Sequence, residues 1–332
     1  MKDLKVGIVG FGRIAAVHAD AWKSVSGVEL VSVCDSSVQS LERAAERGLR
    51  GYYNLEEMIE REGLDAVSIC TPPDSHASQA LTAMEYGVNV LCEKPLTPKA
   101  ASTRQVLEAA QESGVHLQMA TKFRHVPAIQ FAKSLMEEGE IGDIEEFQIE
   151  FAGAVDMINR WNSTPSISGG GVIIDNGSHA LDLINYLFSG LKRVQALHIQ
   201  PIQQLPVEDQ AMLLVETATG VVGDVMLSWS VPSQSDTYLR IQGSKGDISI
   251  GWKAAFVQMK GKKEVKIANG SFDKNLAHAN MMESFRDLIN GTGTGWLTEQ
   301  EIMVNATAIE ACYRSIQAAK WAEIGMFASV AA

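Results

Sequence analysis

Asp175, His179 and Asp182 form a cluster whose residue types and spacing suit acid–base chemistry. The spacing of i, i+4 and i+7 would place all three side chains on one face of a helix. A carboxylate one turn from an imidazole orients the ring and stabilises its protonated form, so Asp175 and His179 are a candidate general-base pair. A capped surface helix with an ion pair and a metal site are the alternatives; the lack of further ligands nearby disfavours the metal. Asp182 is predicted at the helix surface or just behind the pair.

A second charged cluster, Glu93-Lys94-Pro95, directly follows the apolar run Val88–Cys92. Two charges at the end of a buried strand would lie at the rim of a sheet, where ligands of parallel sheets bind. A lysine at that rim can donate a hydrogen bond to a substrate hydroxyl and polarise it. A surface salt bridge in a loop is the alternative.

The element that would position a ligand near these clusters is a glycine turn. The buried-strand pattern Val6–Val9 runs into Gly10-Phe11-Gly12, and a helical pattern continues from Arg13-Ile14. Gly10 permits a tight turn, Gly12 allows backbone N–H groups to approach a phosphate, and the helix N-terminus favours an anion. The position of the third glycine in this motif is Ala15, which is small enough for helix–strand packing. The predicted pyrophosphate-binding residues are Gly10, Phe11, Gly12, Arg13 and Ile14.

Two further positions lie at the ends of predicted strands. Asp35, 23 residues after Gly12, suits hydrogen bonds from an adenosine ribose; it would repel a 2′-phosphate, and Ser36-Ser37 supplies no arginine. NAD is therefore favoured over NADP, although Asp35 as the cap of the next helix is an alternative. The loop containing Thr71, Pro72 and His76 is expected to face the ribose or nicotinamide. A loop that merely starts a helix is the alternative there.

The alternation of short apolar strands and amphipathic helices through residue 120 predicts βαβ units. The fold class is α/β, with an N-terminal Rossmann doubly wound parallel sheet over 1–122. Beyond it, strand-like runs with short links predict an α+β domain with a large, mostly antiparallel open sheet over 123–332. The last helices are free to pack back on the first domain. One face of the antiparallel sheet is expected to pack on the core, and the other face is expected to be either an oligomer interface or the wall of a substrate site.

Composition excludes several classes of function. The 332-residue chain has a net charge of −12 and no basic stripe, which argues against nucleic-acid binding. It has no apolar run of the roughly 18 residues that a membrane span needs. The four scattered cysteines and the early first strand indicate a reduced, cytoplasmic protein without a signal peptide. No Cys/His spacing predicts a metal, and His18, His116, His198 and His278 are interpreted as structural or surface residues.

The glycine turn, Thr71-Pro72-x-x-x-His76, Glu93-Lys94-Pro95 and Gly-Gly-x-x-x-Asp175-x-x-x-His179 together resemble the Gfo/Idh/MocA family of NAD(P)-dependent oxidoreductases. The resemblance spans nearly the whole chain. It implies that Lys94, Asp175 and His179 are catalytic, that Glu93 and Lys94 also contact cofactor, and that Lys94–Pro95 is a cis peptide. It also implies a homodimer or homotetramer formed through the second sheet.

The same resemblance implies an NAD-dependent dehydrogenase acting on a secondary hydroxyl of a sugar, cyclitol or sugar derivative. Lys94, Asp175 and His179 are expected to bind this substrate. Arg124 lies where relatives carry an arginine, although Lys122 and Phe123 depart from their motif. Arg160 and Trp161 suit a sugar face, with a solvated arginine and a covering tryptophan as the alternative. Two other functions stay open: NAD-using cleavage of a glycosidic bond, and a non-catalytic dinucleotide sensor.

Overall fold

The computed structural model describes residues 3–267 and 270–325. The chain divides into two compact units. The first comprises Met1–Lys122 and Lys274–Ile302, and the second comprises Phe123–Asp273 and Met303–Ala332.

Short strands alternate with helices up to residue 120, and strands predominate beyond it. The strands are β1 Leu4–Val9, β2 Val28–Cys34, β3 Arg50–Tyr52, β4 Ala66–Ile69, β5 Asn89–Cys92, β6 Leu117–Met119, β7 Ile144–Ala152, β8 Leu191–His198, β9 Gln210–Thr217, β10 Val222–Ser228, β11 Thr237–Gly243, β12 Gly246–Gly251, β13 Ala255–Met259, β14 Val265–Lys266 and β15 Ala322–Glu323. The α-helices are α1 Arg13–Ser24, α2 Val38–Glu46, α3 Leu55–Glu62, α4 His76–Glu85, α5 Ala100–Ser113, α6 Pro127–Glu137, α7 Pro165–Ser168, α8 Val172–Phe188, α9 Lys274–Ile289 and α10 Glu299–Ala318. Short 3-10 helices cover Lys122–His125 and Trp161–Ser163.

The first unit is built on a six-stranded sheet with the order β3-β2-β1-β4-β5-β6, in which every pairing is parallel. The strand order reverses between β1 and β4, so a crevice opens at the carboxyl ends of these two strands. Apolar side chains of the sheet pack with Trp22 of α1 and with Met281 and Phe285 of α9. The predicted Rossmann fold is confirmed.

The second unit is built on a nine-stranded sheet with the order β14-β13-β12-β11-β7-β10-β9-β8-β15. The β7–β10 pairing is parallel and the others are antiparallel, so the predicted mostly antiparallel sheet is confirmed. One face of β7, formed by Phe147, Ile149 and Phe151, is buried. Phe147 packs against Phe188 of α8 with the ring centroids 4.6 Å apart and the rings tilted by 32°. The helix that carries Asp175 and His179 therefore packs on the apolar face of this sheet.

All four cysteines are buried and free, so they pack as small apolar residues. Burial raises the pKa of the Cys34 thiol to about 11 and that of Cys312 to about 12. Among the helices of residues 3–267 and 270–325, none has both the length and the apolar composition that a membrane crossing requires.

Candidate active site

The glycine turn between β1 and α1 leaves room for an anionic ligand. Gly10 has a φ of +81°, which favours glycine, and a Cβ at this position would lie 2.6 Å from Cγ2 of Thr71. The backbone conformation and the lack of space both exclude a side chain here. A Cβ on Gly12 would meet nothing within 4 Å. Gly12 is also the N-cap of α1, which has no side-chain cap and no acidic residue in its first turn. The N–H groups at the start of α1 are thus suited to a pyrophosphate.

Asp35 ties the end of β2 to this turn. Its Oδ2 accepts a 2.6 Å hydrogen bond from the backbone N–H of Phe11, and its Oδ1 accepts one of 2.8 Å from Ser37. The N-cap of α2 is Ser37, whose side chain accepts from Ser40, so the alternative of Asp35 as the helix cap is wrong. Asp35 is half-buried, and its remaining lone pairs are suited to ribose hydroxyls.

The other residues of the turn have different surroundings. The Phe11 side chain is buried in an apolar cluster with Ile14 packed against it, and its backbone N–H donates to Asp35. Contact of Phe11 with cofactor stays a prediction. Arg13 is exposed. Sequence reasoning missed Arg43, whose guanidinium donates to the carbonyl oxygen of Phe11 at 3.2 Å and to Ser40 Oγ at 2.9 Å. The sequence offered no signal for Arg43 because it reaches the turn from the middle of α2.

His76 joins the loops that follow β4 and β5. Its ring is buried, with Nε2 at 2.8 Å from the carbonyl oxygen of Thr71 and Nδ1 at 3.0 Å from that of Pro95. Burial lowers the pKa of His76, although the two carbonyl contacts favour the charged ring. Both ring nitrogens are directed at backbone, so His76 positions the two loops. Its contact with cofactor stays a prediction.

Thr71 and Pro72 belong to the loop that His76 fixes. Thr71 Oγ1 donates to Gln79 Oε1 at 2.6 Å and accepts from Ser75 Oγ at 2.9 Å. Thr71 and Pro72 are both half-buried and follow the carboxyl end of β4. Their contact with cofactor stays a prediction.

The Glu93-Lys94-Pro95 segment contains the predicted cis peptide between Lys94 and Pro95. Glu93 Oε1 accepts a 2.8 Å hydrogen bond from Nε2 of His18, and Oε2 accepts one of 3.1 Å from the Lys94 backbone N–H. Burial alone would raise the pKa of Glu93, but the hydrogen bond and charge of His18, with Lys94 and His278, lower it to about 2. The alternative of a surface salt bridge is wrong for Glu93, because this carboxylate is buried.

His18 and His278 complete this buried group. The two rings lie 5.6 Å apart, and ligand atoms of His18, Glu93 and His278 all lie within 4.8 Å of one another. His278 Nδ1 donates to the carbonyl oxygen of Lys274 at 2.7 Å, and burial lowers the pKa of His278 to about 4. Such donors could in principle ligate a metal, but the direct His18–Glu93 hydrogen bond favours a proton-linked network. Neither histidine is a surface residue, and no local pattern brings them together.

In the second unit, the glycines before α8 serve close packing. Glu208 Oε1 accepts from the backbone N–H groups of Gly171 and Ile173 at 3.0 and 3.1 Å and from Tyr313 Oη at 2.9 Å. A Cβ on Gly171 would lie 2.0 Å from the Glu208 carbonyl oxygen, and one on Gly170 would lie 1.9 Å from Tyr313 Oη. A remote carboxylate thus caps α8 and complements its dipole, and only glycine allows this approach.

Asp175 and His179 lie one turn apart on α8, and both are half-buried. Asp175 is in the first turn of the helix. The His179 ring meets Phe123 edge-on, with centroids 5.2 Å apart. The predicted placement of the two side chains one turn apart on a helix is confirmed; their catalytic role stays a prediction.

Asp182 and Arg124 form a buried ion pair behind this turn. Both side chains are 2% exposed; Arg124 donates to Asp182 from Nε at 3.0 Å and from Nη2 at 2.8 Å, and its guanidinium lies over the Tyr186 ring. The interpretation of Asp182 as helix surface is wrong. The Arg124 guanidinium is hydrogen-bonded to Asp182 and positions α8; contact of Arg124 with substrate stays a prediction.

Arg160 and Trp161 lie in the loop before the glycines. Arg160 is half-buried and Trp161 is 41% exposed, at the start of the 3-10 helix Trp161–Ser163. The Arg160 carbonyl oxygen accepts hydrogen bonds from both the N–H and the hydroxyl of Ser163, which fixes the loop. Substrate contact by these two side chains stays a prediction.

Two family models match the chain in the order of its domains. Residues 4–121 match the model described as oxidoreductase family, NAD-binding Rossmann fold, and residues 129–249 match the GFO/IDH/MocA C-terminal domain. Among curated proteins, the chain is 31% identical over 263 residues to scyllo-inositol 2-dehydrogenase (NAD(+)) of Bacillus subtilis (strain 168), covering 75% of this chain and 74% of the relative. It is 28% identical over 258 residues to D-apiose dehydrogenase of Paraburkholderia graminis, covering 75% and 68%.

Solved structures agree in fold. Levoglucosan dehydrogenase in complex with NADH superposes with a TM-score of 0.90 over 98% of this chain and 100% of that one, at 20% identity. Fold and first-unit site together define an oxidoreductase with an NAD-binding Rossmann domain. The chain belongs to the Gfo/Idh/MocA family.

Proposed function

We propose that this enzyme transfers hydride between the nicotinamide of NAD and a secondary hydroxyl or ketone of a sugar, cyclitol or sugar derivative. The observation that carries the proposal is the pairing of Asp175 and His179 on one half-buried turn of α8. The cyclitol and sugar dehydrogenases among the relatives support the substrate class.

The roles follow from the chemistry of each side chain. NAD supplies the acceptor for the hydride that leaves the carbinol carbon. His179 accepts the hydroxyl proton, and Asp175 orients the imidazole and stabilises its charged form. Lys94 donates a hydrogen bond to the substrate oxygen, and its backbone N–H is held by buried Glu93. Arg160 and Trp161 are proposed to contact the rest of the substrate.

The turn after β2 supports NAD rather than NADP. The Asp35 carboxylate is fixed by two backbone N–H groups, so its charge stays beside the predicted ribose position. A 2′-phosphate would be repelled there.

The proposal is tested by screening sugars, cyclitols and uronates with NAD⁺ and NADP⁺ in parallel, with NADH or NADPH formation as the readout. On the substrate found, Lys94→Ala and His179→Asn should each lower turnover about 10²–10⁴-fold. His116→Ala is the control, because the His116 side chain is exposed. Full turnover in His179→Asn would refute the assignment, and tight NAD⁺ binding without net reduction across the panel would refute the dehydrogenase.

The assembly proposed is a homodimer or homotetramer formed through the second sheet. The face of β7 opposite the buried one carries the exposed side chains Glu146 and Gln148, and Met212 and Val222 are exposed on β9 and β10. Such a mixed face is suited to a partner copy. Light scattering in solution should give a mass of two or four chains; a monomer would contradict the proposal. The free cysteines favour a cytoplasmic location.

A further inference from the structure

Five aromatic side chains of the second unit pack into one group, which we call the aromatic cluster. The closest pair of rings is Tyr238 and Trp252, with centroids 4.6 Å apart; Phe123 stacks on Phe151 at 4.9 Å and on Phe272 at 5.4 Å. Trp252 and Phe272 meet edge to face at 5.2 Å. The five rings come from five separate segments of the chain, so the group is assembled by the fold.

The cluster extends from His179 towards solvent. Phe123 contacts the His179 ring and is buried, as are Phe151 and Tyr238, whereas Phe272 is half-buried and Trp252 is 37% exposed. Phe123 thus links two rings, because its centroid lies 5.2 Å from that of His179 and 6.4 Å from that of Trp252. The exposed indole continues an aromatic wall that begins at the candidate catalytic imidazole.

The backbone holds the Trp252 indole in a set position. The turn closes with a 2.8 Å hydrogen bond from the N–H of Gly251 to the Ala254 carbonyl oxygen. The Trp252 N–H donates to the Asp236 carbonyl oxygen at 3.0 Å, and the Trp252 carbonyl oxygen accepts from the Phe272 N–H at 3.0 Å. These bonds fix the backbone that carries Trp252, and the ring contacts with Tyr238 and Phe272 hold its indole.

Tyr238 adds a second observation. Its Oη is buried and, within residues 3–267 and 270–325, has no hydrogen-bond partner. Burial raises the pKa of Tyr238, so the hydroxyl stays protonated and can donate. A buried hydroxyl without a partner is costly, and a ligand hydroxyl or water that reached it beside Trp252 would remove that cost.

We propose that the aromatic cluster is a binding subsite for the C–H face of a cyclic polyol, with the ring hydrogens against Trp252 and Phe272. This inference rests on the proposed function. A six-membered ring with equatorial hydroxyls has faces made of axial C–H groups, and such a face buries apolar area on an aromatic wall without desolvating hydroxyls. An acyclic polyol has no continuous face of this kind. The subsite therefore selects rings over chains.

The test measures ligand binding to the NAD⁺-loaded protein by calorimetry. The ring probes are scyllo-inositol, myo-inositol and methyl β-glucopyranoside, and the acyclic probe is sorbitol. Wild type should bind at least one ring probe more tightly than sorbitol. Trp252→Ala should weaken binding of that ring about tenfold, roughly the loss of one aromatic contact, while Trp252→Phe should retain most of the affinity. Saturation-transfer NMR should place the ring hydrogens of the bound probe closest to protein.

Trp321→Phe is the matched control, since this indole packs under Arg193 at 4.7 Å. Phe272→Leu, whose side chain is smaller but apolar, provides a second variant should Trp252→Ala fail to fold, and it should also weaken ring binding. Unchanged ring affinity in a folded Trp252→Ala protein, or sorbitol bound as tightly as every ring, overturns the subsite. Ring-selective binding without any NAD⁺ reduction would instead overturn the proposed dehydrogenase and leave the subsite standing.

Discussion

Nε2 of His18 donates a 2.8 Å hydrogen bond to Oε1 of Glu93, and both residues are buried. The bond belongs to a chain: Trp22 Nε1 donates to Ser68 Oγ at 2.9 Å, and Ser68 Oγ lies 3.2 Å from His18 Nδ1. Glu93 in turn accepts from the Lys94 backbone N–H. The candidate catalytic lysine is thus held by a carboxylate whose charge depends on a histidine from α1.

Removing this histidine should destabilise the fold. His18→Ala leaves the Glu93 carboxylate buried without its main partner, so the free energy of unfolding should fall by about 3 kcal/mol. Urea unfolding measures the loss, with exposed His116→Ala as the control that should change it by less than about 0.5 kcal/mol. A His18→Ala protein as stable as wild type would show that Glu93 does not depend on His18.

Stability should decrease in acid in two ranges. The pKa of His278 is lowered from 6.5 to about 4. As the pH falls through this interval, the unfolded chain takes up a proton at His278 that the folded chain does not, so the free energy of unfolding falls. The pKa of Glu93 is lowered from 4.5 to about 2, so a second loss follows as the pH falls below 4.5. Each group changes the free energy of unfolding by at most about 1.4 kcal/mol per pH unit. Above pH 6.5 both groups make their full contribution to stability.

Unfolding free energies measured from pH 7 downward check this dependence. His278→Gln should reduce the slope in the higher range and leave the lower one. The same slope in His278→Gln and wild type would mean that other groups cause the acid loss.

Asp35 should control both affinity for NAD and choice of cofactor. Asp35→Ser removes two charged hydrogen bonds to the glycine turn and the predicted ribose ligand, so KM for NAD⁺ should rise about 10- to 100-fold. The ratio of kcat/KM for NADP⁺ to that for NAD⁺ should rise because the repulsion of a 2′-phosphate is gone. Steady-state kinetics with both cofactors measure this, and an unchanged ratio would contradict the assignment.

The glycine before α8 should tolerate no side chain. Gly171→Ala places a Cβ 2.0 Å from the Glu208 carbonyl oxygen. This Cβ must displace Glu208, whose side chain caps α8. We expect a loss of about 2 kcal/mol in unfolding free energy. Gly153→Ala is the matched control, because its Cβ would meet nothing within 4 Å. Equal stability of the two variants would show that the cap is dispensable.

Local pattern was sufficient for much of the fold. The predicted strands of both domains include three that are clear in the sequence, Val28–Cys34, Ile144–Ala152 and Gln210–Thr217. Each is bounded by turn residues and long enough for the alternation or continuity of apolar side chains to be clear. The i, i+4 spacing of Asp175 and His179 similarly required only a helix.

Features that depend on distant segments could not be predicted. The insertion of β7 between β10 and β11, with a parallel pairing to β10, depends on a long connection through α8. No sequence pattern predicts that His278 of α9 lies beside His18 of α1. The buried Arg124–Asp182 pair was likewise hidden, because a charged side chain indicates surface until its partner is known.

The most direct test of the central claim is NADH formation by wild type and by His179→Asn on the same secondary alcohol, with NAD⁺ binding measured alongside. The account predicts that wild type reduces NAD⁺ in a substrate-dependent way and that His179→Asn loses about 10²–10⁴-fold in turnover. Its affinity for NAD⁺ should be retained. Equal turnover in the two proteins, or no NAD⁺ reduction by wild type across sugars, cyclitols and uronates, would contradict it.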